Sequence, residues 1–410
     1  MRGLTRRQWI ILGVAWFGWV FDIMDTALFN FAKVPMLTEM LGAEQYKLRG
    51  PALEGEIQTI FLIGWSIGGL GFGILADQWG RSRTLIVTIL VYSLLTGLTS
   101  FCQTPEQVMV LRFLTALGIG GEWAAGAALV AETFPDKARA PAAGLLQSAA
   151  AFGPALGAVA NLALAGQSWR WLFVVGVLPA LVCVAIRALV KEPEVPRTRT
   201  SPLAPLRELF ADPKLRRNVL IAMVLGVVGV TGAGIAPFWL PNLVKEASTG
   251  LDPAEVARRL SYATFIFHGG TLTGVLLFPL LCEKLGRRGA FGLFFLLSPL
   301  ALLVALYGGV TYERVLWLMP LNAFFAIGLS AGFALYFPEL FPGRLRATGT
   351  GLAYNVGRIF SAPVPWVTGI LITQMNGSVA VGVLMAASIY LIGLLAVPFA
   401  PETKGQALEA

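Results

Sequence analysis

The segment GILADQWGRSR, residues 73–83, has a counterpart later in the chain, FPLLCEKLGRR at residues 278–288. Each ends in a Gly-Arg step, and Gly80 and Gly286 lie 206 positions apart. Two further pairs keep nearly the same offset: Glu132 with Glu339, and Pro35 with Pro241. A constant offset at separate landmarks indicates that one structural unit occurs twice in the chain.

The composition indicates a membrane protein. Of 410 residues, 56% are hydrophobic and 13% are charged, whereas soluble domains carry about 25% charged residues. The apolar residues form runs of about 20, the length that crosses a bilayer core. The predicted transmembrane spans number twelve: 10–32, 56–76, 83–103, 106–130, 142–165, 169–190, 218–242, 260–282, 289–309, 313–336, 348–373 and 378–399.

Together, the spans and the repeat predict an all-α integral membrane fold of two pseudo-symmetric six-helix bundles. The first bundle covers residues 1–190 and the second covers 218–410, with a basic linker at 191–217 between them. A parallel repeat of this kind is an architecture of secondary transporters. The longest connection on the non-cytoplasmic side is expected at about 34–55.

The basic residues predict the orientation. The side that holds both termini carries 21 of the 31 Lys and Arg residues, and the other side carries eight. This excess places both termini in the cytoplasm and the protein in the cell membrane. The net charge of +8 therefore reflects contact with anionic lipid headgroups, and nucleic acid is not an expected partner. Three scattered cysteines lack metal-ligand spacing, so neither a metal nor a cofactor is expected.

The segment FGWVFDIMDTALFNF, residues 17–31, places Asp22 and Asp25 on one helix face inside an apolar span. A buried charge is costly unless it is paired, and intramembrane ionisable groups mark pathways or pairs. Arg112 in the fourth span is the expected partner. The positions that the offset relates to these three are uncharged: Val228, Thr231 and Met319. These charges therefore occur in only one half of the chain and do not belong to the repeated scaffold. We expect the two acids to face a central cavity.

These groups suggest a proton-coupling site. An adjacent guanidinium favours the ionised carboxylate, while burial favours the protonated one. In our hypothesis Asp25 carries the proton and Asp22 shares it. The alternative is a buried ion pair that only ties helices together. Glu122 is either a second proton site, a partner for a cation, or a packing residue.

A second cation, Arg358, lies inside span eleven close to Tyr354 and Asn355. A fixed guanidinium facing a cavity suits a carboxylate, which it can bind through two parallel hydrogen bonds. The alternative pairs Arg358 with a helix end. His268, the only histidine, is a candidate relay or a hydrogen-bonded helix contact. Two more polar side chains are weaker candidates for substrate binding: Gln147 and Asn322.

Charged residues at the cytoplasmic helix ends predict a conformational latch. Its members are Asp77, Gly80, Arg81, Glu132, Arg139, Glu283, Arg287, Glu339 and Arg346. Acid and base here, such as Glu132 with Arg139 or Glu339 with Arg346, would pair and separate as the transporter changes conformation. The alternative is static stabilisation of the loops.

Several motifs resemble those of the major facilitator superfamily. GILADQWGRSR looks like its loop motif between spans two and three, and PETKG at 401–405 resembles the ending of sugar porters. RFLTALGIGGEWAAGAALVAETFP at 112–135 is similar to the fourth span of proton symporters for sugars, aromatic acids and sialic acid. FDIMDTALF resembles the first span of the organic-acid group, with Ile23 and Met24 replacing its Gly and aromatic residue. The resemblance implies that a first-span acid lies beside the fourth-span Arg.

The predicted function is proton-coupled symport of a small organic anion, such as an aromatic acid, sialic acid or another carboxylate, by alternating access. A sugar uniporter or sugar:proton symporter is the alternative, and a sensor derived from a transporter fold is a third. An enzyme is not expected, because no nucleophile–base pair or phosphate-binding loop occurs. The expected partners are the substrate, the proton and the lipid bilayer, and the protein is expected to be a monomer.

Overall fold

The computed structural model describes residues 5–79, 81–133, 145–178, 204–342, 345–375 and 378–405. These residues form helices and connecting turns, with no strand among them, so the all-α prediction is confirmed. The α-helices are α1 (Arg6–Leu41), α2 (Ala43–Trp79), α3 (Arg81–Thr99), α4 (Pro105–Thr133), α5 (Ala149–Ala163), α6 (Arg170–Val175), α7 (Ala204–Ala211), α8 (Pro213–Glu246), α9 (Pro253–Leu306), α10 (Tyr312–Tyr336), α11 (Arg346–Ser361), α12 (Val364–Gln374), α13 (Val379–Ala386) and α14 (Ile389–Ala396).

Long apolar helices account for the membrane character. Seven helical segments of the described chain are long and apolar enough to cross a bilayer, including α1, α8 and α9. Helix α9 is 54 residues long and bends at Gly286, where φ is +78°. The predicted spans 260–282 and 289–309 occupy its two arms. Glycine suits this bend because it adopts positive φ without a Cβ clash.

The connection expected at 34–55 is helical instead. Helix α1 continues to Leu41 and α2 begins at Ala43, with Gly42 (φ +78°) between them. The prediction was wrong because α1 stays apolar beyond its one proline, Pro35, and because Lys33 is buried against a partner from α2. The end of the bundle at which α1 meets α2 is called the Gly42 end below, and the opposite end is called the Gly286 end.

The repeat offset recurs in helix packing. A Cβ on Gly68 would lie under 3.0 Å from the backbone of Leu117, so α2 and α4 pack backbone to backbone there. Gly274 meets Phe324 between α9 and α10 in the same way. Gly68 and Gly274 are 206 positions apart, and Leu117 and Phe324 are 207 apart. Small residues permit such close approach of membrane helices, and the repeat preserves them.

The C-terminal tail binds at the Gly286 bend. The Glu402 carboxylate accepts backbone N–H groups of Arg287 at 2.9 Å and Arg288 at 3.1 Å, which are the first donors of the second arm of α9. Burial opposes its ionisation, but these donors and the N–H of Lys404 outweigh burial and hold the pKa of Glu402 below its ordinary value. The tail therefore caps this arm as an N-cap acid would.

Candidate functional site

A central cavity of about 280 Å³ lies between helices from both parts of the chain. Helices α1, α2 and α5 form one side of its wall, and α8, α9, α10 and α11 form the other. The polar side chains in the wall are Thr26, Asn30, Gln58, Thr264, His268, Ser330, Tyr354 and Arg358. Aromatic rings supply much of the rest: Phe31, Trp65, Phe238 and Phe333. A mostly apolar cavity with a few polar groups is typical of small-molecule sites.

Arg358 is the cation of this cavity and is 7% exposed. Its Cζ lies 4.4 Å from the centroid of the Trp65 ring and 5.1 Å from that of Tyr354. No carboxylate of the described residues lies within ion-pair distance of its guanidinium. The ring contacts partly offset the cost of burying the charge, and within the described part of the chain no side chain accepts a hydrogen bond from the guanidinium.

The predicted substrate residues divide into two groups. Tyr354 and His268 line the cavity with Arg358, and Thr271 Oγ1 lies 3.3 Å from His268 Nδ1. The remaining three are not in the cavity wall: Asn322, Asn355 and Gln147. Asn322 instead donates to the Ser298 carbonyl at 3.0 Å and ties α10 to α9. Asn355 and Gln147 are half-buried. Residue polarity alone did not indicate which helix face meets the cavity.

Sequence reasoning missed two side-chain amides of the wall, Asn30 on α1 and Gln58 on α2. Asn30 follows Thr26 by one turn and Ile23 by two, and all three line the cavity. A neutral amide inside a long apolar run was the available signal. It is a weaker signal than the charged residues of the same helix, because burying an amide costs less than burying a charge.

Asp25 and Arg112 form a buried ion pair. Arg112 Nη1 donates to Asp25 Oδ2 at 2.8 Å, and Thr96 Oγ1 donates to Asp25 Oδ1 at 2.6 Å. The side chains of Arg112 and Asp25 are 0% and 2% exposed. The rings of Phe29 and Phe61 lie 4.6 and 4.1 Å from the guanidinium carbon. One carboxylate of α1 is thus held by two donors, one from α3 and one from α4.

The expectation that these acids face the central cavity is wrong. Asp25 points to α3 and α4, and Asp22 is fully buried outside the cavity wall. The wall takes the adjacent face of α1, which carries Ile23, Thr26 and Asn30. Successive side chains on a helix point about 100° apart. Asp25 therefore points away from the cavity, although the next residue, Thr26, lines it.

A second buried ion pair, absent from the sequence-based reasoning, joins Lys33 to Glu54. Lys33 Nζ lies 2.9 Å from Glu54 Oε2, and both side chains are 0% exposed. Lys33 also donates to the Phe238 carbonyl at 2.6 Å. Asn242 donates to both Glu54 oxygens at 2.9 and 3.1 Å, and the Tyr46 hydroxyl donates to Oε1. Lys33 was assigned to a loop because the predicted first span stopped one residue before it.

This network belongs to a seam between the two halves of the chain. Asn161 of α5 donates to Ser261 Oγ of α9 at 2.9 Å, and Thr59 Oγ1 of α2 donates to the Ala362 carbonyl at 2.7 Å. Every hydrogen bond between the halves within the described residues lies on the Gly42 side of Arg358. The cavity is therefore closed towards the Gly42 end.

The predicted latch residues are described only in part. Arg287 holds Glu339 through two hydrogen bonds, Nη2 to Oε1 at 2.6 Å and Nε to Oε2 at 3.0 Å, and Thr403 adds a third at 2.5 Å. Glu283 is exposed. Gly80 and Arg139 lie outside the described residues, as do the side chains of Asp77, Arg81, Glu132 and Arg346. The side chain of Glu122, the further candidate for proton coupling, also lies outside them.

Comparisons with known proteins agree with this architecture. The chain is 33% identical over 411 residues to a probable 4-methylmuconolactone transporter of Cupriavidus pinatubonensis, covering 96% of this chain and 90% of that protein. It is 31% identical over 375 residues to a cis,cis-muconate transport protein of Acinetobacter baylyi, covering 85% and 86%. The crystal structure of a D-xylose-proton symporter superposes with a TM-score of 0.77 at 20% identity, covering 98% and 99%.

The family assignment follows from the sequence profile together with the fold. The profile of the Major Facilitator Superfamily matches residues 15–365. The relatives above are transporters, and the solved structure shares the helical fold that surrounds the cavity. This multi-pass membrane protein belongs to the Major Facilitator Superfamily and is a transporter, not an enzyme.

Proposed function

We propose that this transporter carries a small organic anion together with a proton. The substrate class agrees with the relatives named for 4-methylmuconolactone and muconate transport. In this proposal separate residues perform the two tasks. Arg358 in the cavity binds the carboxylate of the substrate, and the Asp25–Arg112 pair behind α1 takes up and releases the proton.

The pairing of the buried cations carries the proposal. Three Lys and Arg side chains are buried among the described residues: Lys33, Arg112 and Arg358. Glu54 neutralises the first and Asp25 neutralises the second. Arg358 has aromatic neighbours and faces the cavity. Among the described residues no carboxylate pairs with Arg358. A buried charge without a counterion is strongly unfavourable, and an anionic substrate would supply one when it binds.

The position of Asp25 and Thr26 on one helix, α1, supports proton coupling. Protonation of Asp25 removes the charge that holds Arg112 and weakens the contact of α1 with α4. Because the neighbouring residue, Thr26, lies in the cavity wall, a shift of α1 at Asp25 also changes the substrate site. Substrate and proton therefore bias the same structural element, as coupling between two sites requires.

The transport cycle uses the two halves of the chain as rocking bundles. We assign residues 1–190 and 218–410 to these bundles, with 191–217 as the linker. The excess of basic residues puts both termini in the cytoplasm, so the Gly42 end faces outside and the described conformation is closed there. One chain in the cell membrane contains the whole cavity, and a monomer is sufficient for the cycle.

Sugar transport, by uniport or with protons, is the second candidate. Neutral hydrogen-bonding groups in the cavity favour it, because hydroxyl-rich ligands need several such partners: Asn30, Gln58, Thr264 and Ser330. Arg358 has no evident task in a neutral-sugar carrier, which is why the anion is preferred.

Uptake by purified protein in proteoliposomes tests the proposal. An inwardly directed proton gradient should drive accumulation of a carboxylate such as muconate or 4-hydroxybenzoate, and a protonophore should abolish it. Xylose serves as the neutral comparison. Accumulation of xylose without carboxylate uptake would establish the sugar function. Carboxylate uptake at the same rate with and without the proton gradient would show that transport is not proton-coupled.

A further inference from the structure

Asn30 and Gln58 lie at one level of the cavity. Asn30 precedes Lys33 by about one helical turn, and Gln58 follows Glu54 by about one turn. Lys33 and Glu54 are in contact at 2.9 Å, and their helices, α1 and α2, run in opposite directions. One turn back along α1 and one turn forward along α2 both lead away from the Gly42 end. The two amides therefore form a layer directly beneath the ion pair.

Both amides have unused hydrogen-bonding capacity. Gln58 is 8% exposed, and its Oε1 has no hydrogen-bond partner among the described residues. The same holds for Oδ1 of Asn30. Both side chains line the central cavity. Buried polar groups are normally satisfied, so two neighbouring amides on one wall are suited to a ligand that completes their hydrogen bonds.

The amide layer and Arg358 are separated by an apolar step. Gln58, Leu62 and Trp65 follow one another on the cavity face of α2, and Arg358 stacks against Trp65. Gln58 and Trp65 are seven positions apart, which corresponds to about 10 Å along the helix. The cavity thus has a cationic pole near Trp65, an apolar middle, and a neutral polar pole near the Gly42 end.

We infer that Asn30 and Gln58 determine specificity by binding a hydroxyl or carbonyl group at the end of the substrate remote from its carboxylate. An amide can both donate and accept, so either group can be bound. The preferred substrates are carboxylates with an apolar body and a distal polar group. This inference rests on the proposed anion transport, because Arg358 must hold the other end.

Matched ligands test it on the purified full-length chain. Calorimetry would compare 4-hydroxybenzoate with 4-methylbenzoate, which is nearly the same size, and 3-(4-hydroxyphenyl)propionate with its 4-methyl analogue. The wild type should bind at least one hydroxyl compound about five- to tenfold more tightly than its methyl partner, since the methyl group leaves the amides unsatisfied. Gln58→Leu and Asn30→Leu should each reduce this preference towards unity.

Two further variants complete the design. Gln374→Leu makes the same change at an exposed position of α12 outside the cavity wall and should keep the preference. Arg358→Gln should weaken both members of a pair alike. Equal binding of both partners by the wild type, or a preference that persists in both leucine variants, would overturn the inference. Absence of binding by every carboxylate would instead refute the anion site itself, and the inference with it.

Discussion

At the residue scale, Arg112 and Arg358 are both buried arginines, but their surroundings differ. Arg112 is paired with Asp25 and lies behind α1, whereas Arg358 faces the cavity between two aromatic rings. A guanidinium offers a planar set of donors that matches a carboxylate, and it also stacks on rings. Lysine retains the charge but loses both properties.

Arg358→Lys should therefore raise the KM for carboxylate uptake by about tenfold or more, because charged hydrogen bonds contribute about 1.5–3 kcal/mol each. Initial rates in proteoliposomes over a range of substrate concentrations measure this. Arg259→Lys is the matched control, since its guanidinium lies over the Tyr312 ring outside the cavity wall. An unchanged KM in Arg358→Lys would exclude this residue from the site.

Asp25→Asn separates coupling from a purely structural ion pair. The variant cannot take up a proton, so we expect accumulation driven by a pH gradient to be lost while substrate counterflow persists. It also leaves Arg112 buried without its counterion, which costs about 3–5 kcal/mol of stability, and thermal unfolding in detergent should show this loss.

The double variant Asp25→Asn with Arg112→Gln should regain stability without regaining gradient-driven accumulation. Recovery of accumulation in that variant would show that the pair only ties helices together. Glu39→Gln is the control, because this acid of α1 pairs with Arg170 at the surface.

At the element scale, packing of helix pairs depends on glycines that the repeat preserves. A Cβ on Gly68 would meet backbone atoms of Leu117, which cannot move independently of α4. A Cβ on Gly71, in the same helix, would have no heavy atom of the described residues within 4 Å. The two positions share helix propensity and differ in packing.

Gly68→Ala should lower stability by about 1–3 kcal/mol, the usual cost of overpacking, whereas Gly71→Ala should be neutral or slightly stabilising. Gly274→Ala should repeat the loss in the second half, where Phe324 is the obstacle. Thermal unfolding of the detergent-solubilised variants provides the measurement. Equal melting temperatures for the changes at Gly68 and Gly71 would contradict the close packing of α2 on α4.

At the scale of the whole molecule, the halves meet through buried polar contacts at the Gly42 end. Asn242 of α8 donates to Glu54 of α2, whereas Asn218 of the same helix donates to the Leu340 carbonyl within its own half. The first bond must break if the halves separate at this end. The second is independent of that motion.

Asn242→Ala should therefore destabilise the closed Gly42 end while leaving the Lys33–Glu54 pair in place. Accessibility of the seam can be measured with Thr59→Cys, because Thr59 donates across the seam to the Ala362 carbonyl. The three native cysteines are replaced by serine in this background. We expect a membrane-impermeant maleimide to label it several-fold faster in Asn242→Ala than in Asn218→Ala. Equal rates would mean that the network does not hold the halves together.

Much of the fold could be predicted because its causes are local. Hydropathy over a window of membrane length predicted the helical membrane fold, and the second Gly-Arg step, which marked a connection between two predicted spans, lies at the Gly286 bend of α9. The Asp25–Arg112 pair was also predictable, since two opposite charges inside apolar spans strongly favour one another. The C-terminal end of α1 was less predictable. A charged Lys33 suggests that the membrane span has ended, and only its buried partner Glu54 shows that the helix continues past it.

The amino-acid sequence alone indicated a helical membrane protein with an internal repeat and a buried acid–base pair. Span length, repetition and charge can all be read directly from the order of residues. Tertiary packing decided which face of each helix meets the cavity. It turned Asp25 towards α4 and Asn30 towards the cavity, and it brought Lys33, Glu54 and Asn242 together. These outcomes depend on how helices distant in sequence rotate and pack against each other, and hydropathy along a single helix does not contain that information.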